Sequence, residues 1–337
     1  MLFRSWTSEA KKRAAVHCVI VGFTCYPSND PKTLYESDVA KTVSTINGYL
    51  VEAPNVFIQS RGKPLFKNVP EMRKGSQPTD GGNLILSYDE RENLIENYPL
   101  AEEYIKRYIS ADDYINNRLR YCLWLKDVPP NKYRKIPQII QRLNQVAECR
   151  RKSPTASVQR DAETPMLFTQ IRQPKTMYLA MPEVSSSRRR YIPFGYIKPE
   201  IIASNMLYLV PDATLYLFGI MTSNVHMAWM RVVGGRLKSD YRYTPAVYNN
   251  FPWPTPTEAQ KAKIEQTAQA ILDARAFYPD ASLADLYDEA TMHVELRKAH
   301  QANDRAVMQA YGFDIKTTTE ATCVAELMKM YQYIAKT

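Results

Sequence analysis

The most constraining feature of the sequence is residues 185–254, where two basic segments flank a long apolar run. The first segment contains Arg188, Arg189 and Arg190 and continues into Tyr-Ile-Pro. The second reads Gly-Gly-Arg-Leu-Lys-Ser-Asp-Tyr-Arg-Tyr over 234–243. Guanidinium groups grip phosphate or guanine with two parallel hydrogen bonds, and aromatic rings stack on bases or pack on sugars. The pattern indicates a surface that meets nucleic acid, although a solvated basic loop beside a tyrosine-rich core would give the same pattern.

The apolar run between the two basic segments predicts strands at 191–195 and 205–210, followed by one helix at 215–233. The buried face of this helix is predicted from residues at helical spacing, which are Phe218, Met221, Val225 and Trp229. Met and aromatic residues in this pattern are typical of core packing. Arg231, near the helix end, and Arg236, just after the Gly-Gly stop, are expected to emerge on one side.

The formal net charge of +9 is unevenly distributed along the chain. Residues 255–337 hold 9 Lys and Arg against 12 Asp and Glu, a net of −3, so residues 1–254 carry +12. This asymmetry predicts a front portion that faces a polyanion and a rear portion that makes no direct phosphate contact. A membrane surface is the competing polyanion, but the sequence shows no long basic amphipathic helix to bind one.

Cysteine usage and hydropathy indicate a cytoplasmic location. The cysteines are odd in number and lack CxxC spacing, at Cys18, Cys25, Cys122, Cys149 and Cys323. Free thiols are therefore expected, and neither a zinc site nor a disulfide framework. No signal-peptide pattern and no apolar run of about 18 residues occurs, so secretion and membrane spanning are not expected.

The predicted fold class is α+β, with a mixed-sheet domain followed by an all-helical region. Residues 1–25 contain a β-branched run at 14–23, which is typical of a strand buried on both faces within a hairpin. Turn residues and moderate polarity at 26–44 favour a linker. Residues 45–254 form the mixed domain. Residues 255–337 predict helices alone, and Thr257 with Gln260 has the spacing of a capping box.

Within these regions the periodicity predicts individual elements. Further strands are predicted at 49–58, 84–87, 120–125, 166–171 and 177–182. Further helices are predicted at 89–97, 100–109, 136–151, 257–277, 283–289, 294–311 and 319–336.

No catalytic constellation is evident in the sequence. It lacks G-x-x-x-x-G-K-[ST] and G-x-G-x-x-G, and its four histidines form no assignable triad. His17 and His226 fall in apolar segments, where a core histidine is the expected role. Asp280 with Asp314 and Lys316 is a formal match to a nuclease metal array, but its helical context argues against one.

Several motifs together resemble the MmeI-like type IIG restriction–modification DNA adenine methyltransferases. The segments that carry the resemblance are Phe3-Arg-Ser-Trp6, Ala14 to Phe23, Asp80-Gly-Gly-Asn-Leu84, Arg120 to Leu125, Arg190-Tyr-Ile-Pro193, Gly235 to Tyr243 and Tyr248 to Pro254. The resemblance covers the whole chain. It implies that 1–25 is the last hairpin of a methyltransferase domain, that 26–44 is a linker, that 45–254 is a DNA target recognition domain, and that 255–337 is the family's helical C-terminal region.

The basic, tyrosine-rich pattern, taken together with the resemblance, predicts where DNA binds. Arg236, Lys238, Asp240 and Arg242 are the predicted base readers, with Arg231, Tyr241 and Tyr243 in the same surface. Arg188, Arg189, Arg190, Lys74 and Asn83 are the predicted contacts to the DNA backbone. The S-adenosylmethionine-binding and Asn-Pro-Pro-Tyr-type motifs are absent, so the sequence is expected to be a fragment or a split subunit without activity of its own. S-adenosylmethionine, and magnesium for a nuclease, are implied for the full-length parent.

Two partner hypotheses remain open from the sequence. One is double-stranded DNA, presented to a methyltransferase domain or subunit. The alternative is a protein-interaction scaffold of a restriction or phage-defence complex, whose basic face docks a partner. A homodimer through the apolar run at 14–23 is a further expectation, because exposed strand edges tend to pair.

Overall fold

The computed structural model describes residues 4–7, 15–18, 20–26, 30–36 and 39–336, and it confirms the α+β class. The strands are β1 (Arg4–Thr7), β2 (Ala15–Cys18), β3 (Lys32–Glu36), β4 (Val39–Val43), β5 (Arg73–Lys74), β6 (Ile85–Leu86), β7 (Ile105–Ile109), β8 (Arg120–Leu123), β9 (Tyr178–Pro182), β10 (Val184–Ser185), β11 (Gly195–Ile197), β12 (Ile202–Ala203), β13 (Leu207–Pro211), β14 (Gly235–Leu237) and β15 (Asp240–Arg242). The helices are α1 (Tyr88–Asn97), α2 (Ala111–Asn116), α3 (Pro130–Tyr133), α4 (Pro137–Arg151), α5 (Ala156–Arg160), α6 (Leu215–Met221), α7 (Asn224–Val233), α8 (Pro245–Asn249), α9 (Glu258–Ala276), α10 (Leu283–Leu286), α11 (Val294–Ala310) and α12 (Glu320–Lys336).

The N-terminal residues contain two separate hairpins. β1 pairs with β2 antiparallel, which confirms the predicted hairpin. The second strand ends at Cys18, and the predicted burial up to Phe23 is wrong, because the Ile20 and Phe23 side chains are 76% and 87% exposed. The predicted linker contains the β3–β4 hairpin. The His17 side chain lies outside the described residues.

The strand predicted at 49–58 does not form. The Asn47 carboxamide oxygen accepts from the backbone N–H groups of Tyr49 and Val51, and its amide nitrogen donates to the Pro54 carbonyl. These bonds use backbone groups that a sheet partner would need, and Leu50 adopts a left-handed φ of 64°. The segment is therefore an irregular loop.

Two four-stranded sheets form the centre of the mixed domain. The first has the order β11-β9-β13-β5 and is antiparallel throughout. The second has the order β12-β7-β8-β6, in which β12 and β7 are parallel. The helix predicted at 100–109 is wrong beyond residue 104. A 3-10 helix spans Pro99–Tyr104 and β7 follows, because Ile105, Tyr108 and Ile109 are buried in the second sheet.

Other departures from the predicted strands are local. The strand predicted at 166–171 reduces to one bridge between Gln77 and Gln170. Residues 191–194 are buried but irregular, and the strand starts at Gly195. The predicted strands at 120–125, 177–182 and 205–210 are confirmed within a few residues as β8, β9 and β13.

The single helix predicted at 215–233 is two helices. Its buried face is confirmed, because Phe218, Met221 and Trp229 have no exposed surface and Val225 has 1%. The break falls at Thr222–Ser223, where the Ser223 hydroxyl accepts from the His226 backbone N–H and caps α7. A serine at an N-cap starts a new helix more favourably than it continues an old one. The C-terminus of α7 is consequently directed into β14.

The C-terminal region is all-helical, as predicted, and shares one core with the mixed domain. α9 starts at the predicted capping box of Thr257 and Gln260. Trp229 of α7 packs against Tyr331 of α12, and the Tyr311 hydroxyl donates to the Pro252 carbonyl at 2.9 Å. A second core lies under α4, where Ile139, Leu143 and Val146 are buried against β6–β8.

Two further findings concern the described part of the chain. Cys25, Cys122, Cys149 and Cys323 are free thiols, as predicted. None of the helices there is long and apolar enough to cross a membrane.

Candidate nucleic-acid interface

An exposed hairpin, β14–β15, carries most of the second basic segment. Leu237 pairs with Asp240, so Lys238 and Ser239 form a two-residue turn. Lys238 adopts a left-handed φ of 57°, a conformation that tight hairpin turns use. Arg236, Lys238 and Arg242 are all exposed. Because side chains alternate along a strand, Asp240 and Arg242 share one face, and Arg236 lies on the other with Tyr241.

Glu183 connects the hairpin to the first sheet. Its side chain is 7% exposed, and Oε1 accepts from Nε and Nη2 of Arg242 at 3.2 and 3.0 Å. Oε2 accepts from the Lys74 ammonium at 2.9 Å. The Lys74 nitrogen also lies 5.5 Å from the centre of the Tyr208 ring. One buried carboxylate thus fixes two cations, and both keep exposed surface, 36% for Lys74 and 51% for Arg242.

Tyr241 brings Arg231 and Arg236 together, as the sequence predicts. The Arg236 guanidinium lies 4.1 Å from the centre of the Tyr241 ring, and the Arg231 Nε donates to its hydroxyl at 3.3 Å. Arg231 also forms an ion pair with Glu320 at 2.8 Å. Arg231 is therefore largely engaged inside the protein, whereas Arg236 keeps an exposed side chain.

The arginine loop, residues 188–190, lies beside this hairpin. The Ser187 backbone N–H donates to the Asp240 carboxylate at 3.3 Å, which joins the two basic segments. Partial burial lowers the pKa of the Arg189 guanidinium, and the nearby Asp240 and Asp288 carboxylates oppose that effect. The loop lines a cleft of about 410 Å³ together with Asn224, Arg231 and Glu320. Arg188 and Arg190 are exposed at its edge.

Tyr243 is placed differently from its predicted role in DNA contact. Its side chain has no exposed surface, and its hydroxyl lies 2.9 Å from Nε2 of the fully buried His226. Burial lowers the pKa of His226 to about 3, so the imidazole is neutral and the pair is a hydrogen bond between uncharged groups. Tyr243 is therefore a core residue that follows the hairpin directly. The prediction that His226 is a core residue is confirmed.

Asn83 lies in a separate loop that leads into β6. Its amide nitrogen donates to the Asp80 carbonyl at 2.9 Å, and its own carbonyl accepts from Arg142 at 3.2 Å. The loop is held by Arg150, which is 1% exposed and donates to the Pro78 and Thr79 carbonyls. Among the described residues, no hydrogen bond or ion pair links Asn83 to the group around Glu183.

The assembled surface is electropositive. Eight cationic side chains belong to it, namely Lys74, Arg188, Arg189, Arg190, Arg231, Arg236, Lys238 and Arg242. The carboxylates beside them are Glu183, Asp240, Asp288, Glu289 and Glu320. Cations exceed carboxylates, so the surface suits a polyanion whose contacts weaken as salt rises.

The sequence reasoning missed Glu183. A signal for it was present, because it follows the apolar strand Tyr178–Pro182 directly, and a carboxylate there is buried and needs a cationic partner. The sequence does not show which cation is that partner, since Lys74 is 109 residues away in the chain.

The nuclease-like group of Asp280, Asp314 and Lys316 has another explanation. The Asp314 carboxylate accepts from the backbone N–H groups of Lys316 and Thr317, which closes a local turn. In the described part of the chain, no three His, Cys, Asp or Glu side chains form a group that could hold a metal ion.

The structure is a mixed α+β domain with a net positive surface and a helical region packed against it. Comparison with known families gives the class: the target recognition domain of MmeI matches residues 52–255, and the C-terminal domain of MmeI matches residues 256–337. The chain therefore belongs to the MmeI family of restriction–modification proteins, which confirms the resemblance. The sequence analysis predicts 45–254 and 255–337 for the same two regions.

Two relatives extend this assignment. The chain is 37% identical over 328 residues to a protein named DNA methyltransferase A of Bacillus subtilis, covering 97% of this chain and 37% of that protein. It superposes on a solved structure of the type IIL restriction–modification enzyme MmeI in complex with DNA, with a TM-score of 0.92 and 43% identity, over 99% of this chain and 45% of MmeI. The chain thus spans less than half the length of either relative.

Proposed function

We propose that this chain reads the target sequence of double-stranded DNA on behalf of an adenine methyltransferase of the MmeI type. The Glu183 junction carries the proposal. Burial of the Glu183 carboxylate costs desolvation energy, which its ion pairs with Lys74 and Arg242 offset only in a well-defined geometry. The junction therefore fixes the positions of two cations, one of them on the exposed hairpin. The net positive surface and the likeness to MmeI, whose structure contains DNA, support the same function.

Arg242 is the strongest candidate for base recognition. Glu183 accepts from its Nε and Nη2, and in the described residues no hydrogen bond occupies Nη1. The Nη1–Nη2 end of the guanidinium therefore stays free and oriented. That end can donate two parallel hydrogen bonds to O6 and N7 of guanine in the major groove. Lys238 and Asp240, beside it on the hairpin, could add one donor and one acceptor for a neighbouring base.

The other residues would contact the DNA backbone or hold a base-reading side chain in place. Arg188, Arg189, Arg190 and Lys74 would contact phosphates and set the register, and Asn83 would contact the backbone from its separate loop. Arg236 would read a base from the opposite face of the hairpin, with Tyr241 as its platform and Arg231 behind it.

Catalysis is assigned to the part of the parent protein that this chain does not cover. S-adenosylmethionine, and magnesium where a nuclease is present, would be bound there, and the methyltransferase domain or subunit would receive the DNA that this chain presents. A cytoplasmic location and a homodimer through residues 14–23 are further proposals that rest on the sequence alone.

The first experiment is selection of bound duplexes from a random double-stranded DNA pool by the isolated chain, at a low and a high salt concentration. Enrichment of a short motif would support the proposal and identify the target. Salt-sensitive binding without enrichment would mean that the methyltransferase part is needed to complete the reading surface. No binding at either concentration would favour the scaffold hypothesis.

A pair of substitutions at Arg242 and Arg189 then tests base reading. Arg242→Lys keeps the charge but not the fork, so its affinity for unrelated DNA should persist while discrimination at one base pair falls by about 1–3 kcal/mol. Arg189→Ala should instead weaken binding to all sequences about equally. Equal, sequence-independent losses from both variants would contradict the assignment of Arg242.

A further inference from the structure

The C-terminal helices hold the segment that follows the arginine loop directly. The Tyr191 hydroxyl donates to the Asp304 carboxylate of α11 at 2.6 Å, and both side chains are buried, at 1% and 5% exposure. The Tyr191 ring stacks on His300, also of α11, with centroids 4.1 Å apart and planes 18° apart. Tyr191 follows Arg190 in the sequence, so its position determines where the arginine loop ends.

One further direct contact and two supporting links connect the C-terminal region to the same segment. Arg275 of α9 donates from Nη1 to the Phe194 carbonyl at 2.6 Å. The Tyr287 hydroxyl lies 2.8 Å from Nε2 of His300 and also accepts from Arg275. Arg231 donates to the Arg190 carbonyl at 3.3 Å, and Glu320 of α12 holds Arg231 from the other side.

Asp304 also holds the helix that leads into the hairpin. Its second carboxylate oxygen accepts from the backbone N–H of Asn224, the first residue of α7, at 2.8 Å. Since α7 ends just before β14, one carboxylate is connected to both basic segments, through Tyr191 on one side and α7 on the other. Apolar contacts could supply adhesion alone, whereas a buried carboxylate with two directed hydrogen bonds defines a single geometry.

We propose that the C-terminal helical region is a structural part of the DNA-contacting surface, in which Asp304 and His300 are positioning residues that place Arg188, Arg189 and Arg190 for phosphate contact through Tyr191. This proposal rests on the proposed function. It assigns the region a role beyond spacing, because a region of net negative charge would determine how many phosphates the loop contacts.

The test compares two tyrosine variants by the salt dependence of DNA binding. Tyr191→Phe removes the hydroxyl that donates to Asp304. Tyr311→Phe is the matched control, because it removes a hydroxyl that joins the same two regions at Pro252, away from the arginine loop. Binding of the whole chain to a mixed-sequence duplex is measured over a range of salt, below the unfolding temperature of every variant. Reduced stability alone would leave the slope of log affinity against log salt unchanged.

We expect Tyr191→Phe to reduce that slope by about 0.9 for each phosphate that the arginine loop no longer reaches, and Tyr311→Phe to leave it unchanged. Adding Arg189→Ala to Tyr191→Phe should reduce the slope by less than the sum of the two single effects, because both act on one loop. Asp304→Asn, which preserves the size of the side chain, should reduce the slope in the same direction and provides a second variant if Tyr191→Phe fails to fold.

Each alternative outcome overturns a different statement. If the unsubstituted chain binds DNA with no salt dependence, the proposed function fails and this inference fails with it. If the unsubstituted chain shows the slope and Tyr191→Phe keeps it, the proposed function stands and the positioning role is refuted. Equal reductions in Tyr191→Phe and Tyr311→Phe would also refute it, since the effect would then be general to the packing between the two regions.

Discussion

Replacing Arg150 should unfold the loop that carries Asn83, because the buried Arg150 guanidinium donates hydrogen bonds to five backbone carbonyl groups. It is 1% exposed and donates to the carbonyls of Pro78, Thr79, Asp161, Thr164 and Leu167, at 2.7 to 3.1 Å. All five acceptors are uncharged. The residue therefore functions as a structural hub that joins α4 to two loops.

The magnitude follows from what the carbonyls would lose. Two of the five carbonyls have a second donor. The Asp161 carbonyl also accepts from the backbone N–H of Thr164, and the Thr164 carbonyl also accepts from the backbone N–H of Leu167. The described residues offer no second backbone donor to Pro78, Thr79 or Leu167. Three buried acceptors left without a donor cost about 1–3 kcal/mol each. A lysine keeps the charge and three N–H donors, but they sit on one nitrogen and cannot reach carbonyls that Nε and Nη2 now serve separately. With one carbonyl re-paired and partial entry of water, we expect Arg150→Lys to lower the free energy of unfolding by about 2–4 kcal/mol.

Urea unfolding followed by circular dichroism measures this loss. Arg151→Lys is the matched control, because Arg151 is the next residue of α4 and is exposed, so its substitution should change stability by less than about 0.5 kcal/mol. A loss below about 1 kcal/mol for Arg150→Lys would refute the argument, since it would show that charge, and not the donor geometry, holds the loops.

Two further substitutions test the electrostatics of the site. Glu183→Gln removes the negative charge and replaces one of the two acceptor oxygens with an NH2 group, so Arg242 and Lys74 can no longer both be held. Nonspecific affinity should rise while discrimination between the target and a mismatched duplex falls by about 1–3 kcal/mol; unchanged discrimination in a competition binding assay would contradict the orienting role. Burial raises the pKa of Asp304 to about 6, above its ordinary 3.8, so the folded state binds the proton more tightly than the unfolded state. Protonation of Asp304 therefore stabilises the fold at low pH, and this contribution to the free energy of unfolding is lost as pH rises through 6. Between pH 5 and 7 the unsubstituted chain should therefore lose about 1 kcal/mol of stability that Asp304→Asn does not lose, as measured by urea unfolding at both pH values; equal losses would show that Asp304 has an ordinary pKa.

Elements with strong local signals could be predicted from the sequence. α4 and α9–α12 follow from apolar periodicity and, for α9, from the capping box of Thr257 and Gln260. The basic surface at 234–243 follows from its charged residues, whereas the β14–β15 hairpin that carries them was not predicted. In each case the determining contacts lie within a few residues, where spacing alone specifies which side chains meet.

The failures occurred where other contacts compete with local propensity. The apolar run at 49–58 has strand composition, but Asn47 captures its backbone N–H groups. Residues 105–109 have helical spacing, yet β8 offers them a sheet partner. The 215–233 run is periodic throughout, and Ser223 divides it because Asn224 is held by Asp304, 80 residues away.

By itself the sequence determined the α+β class, the helical region, the uneven positive charge and the family, because composition, periodicity and motif order are properties of the chain alone. Only the tertiary structure decided what single residues do there. It turned Tyr243 into core, engaged Arg231 with Glu320, and joined Glu183 to Lys74 and Tyr191 to Asp304 across 109 and 113 residues. The physical reason is that a charged or polar side chain takes its role from its partner and its exposure, and folding sets both.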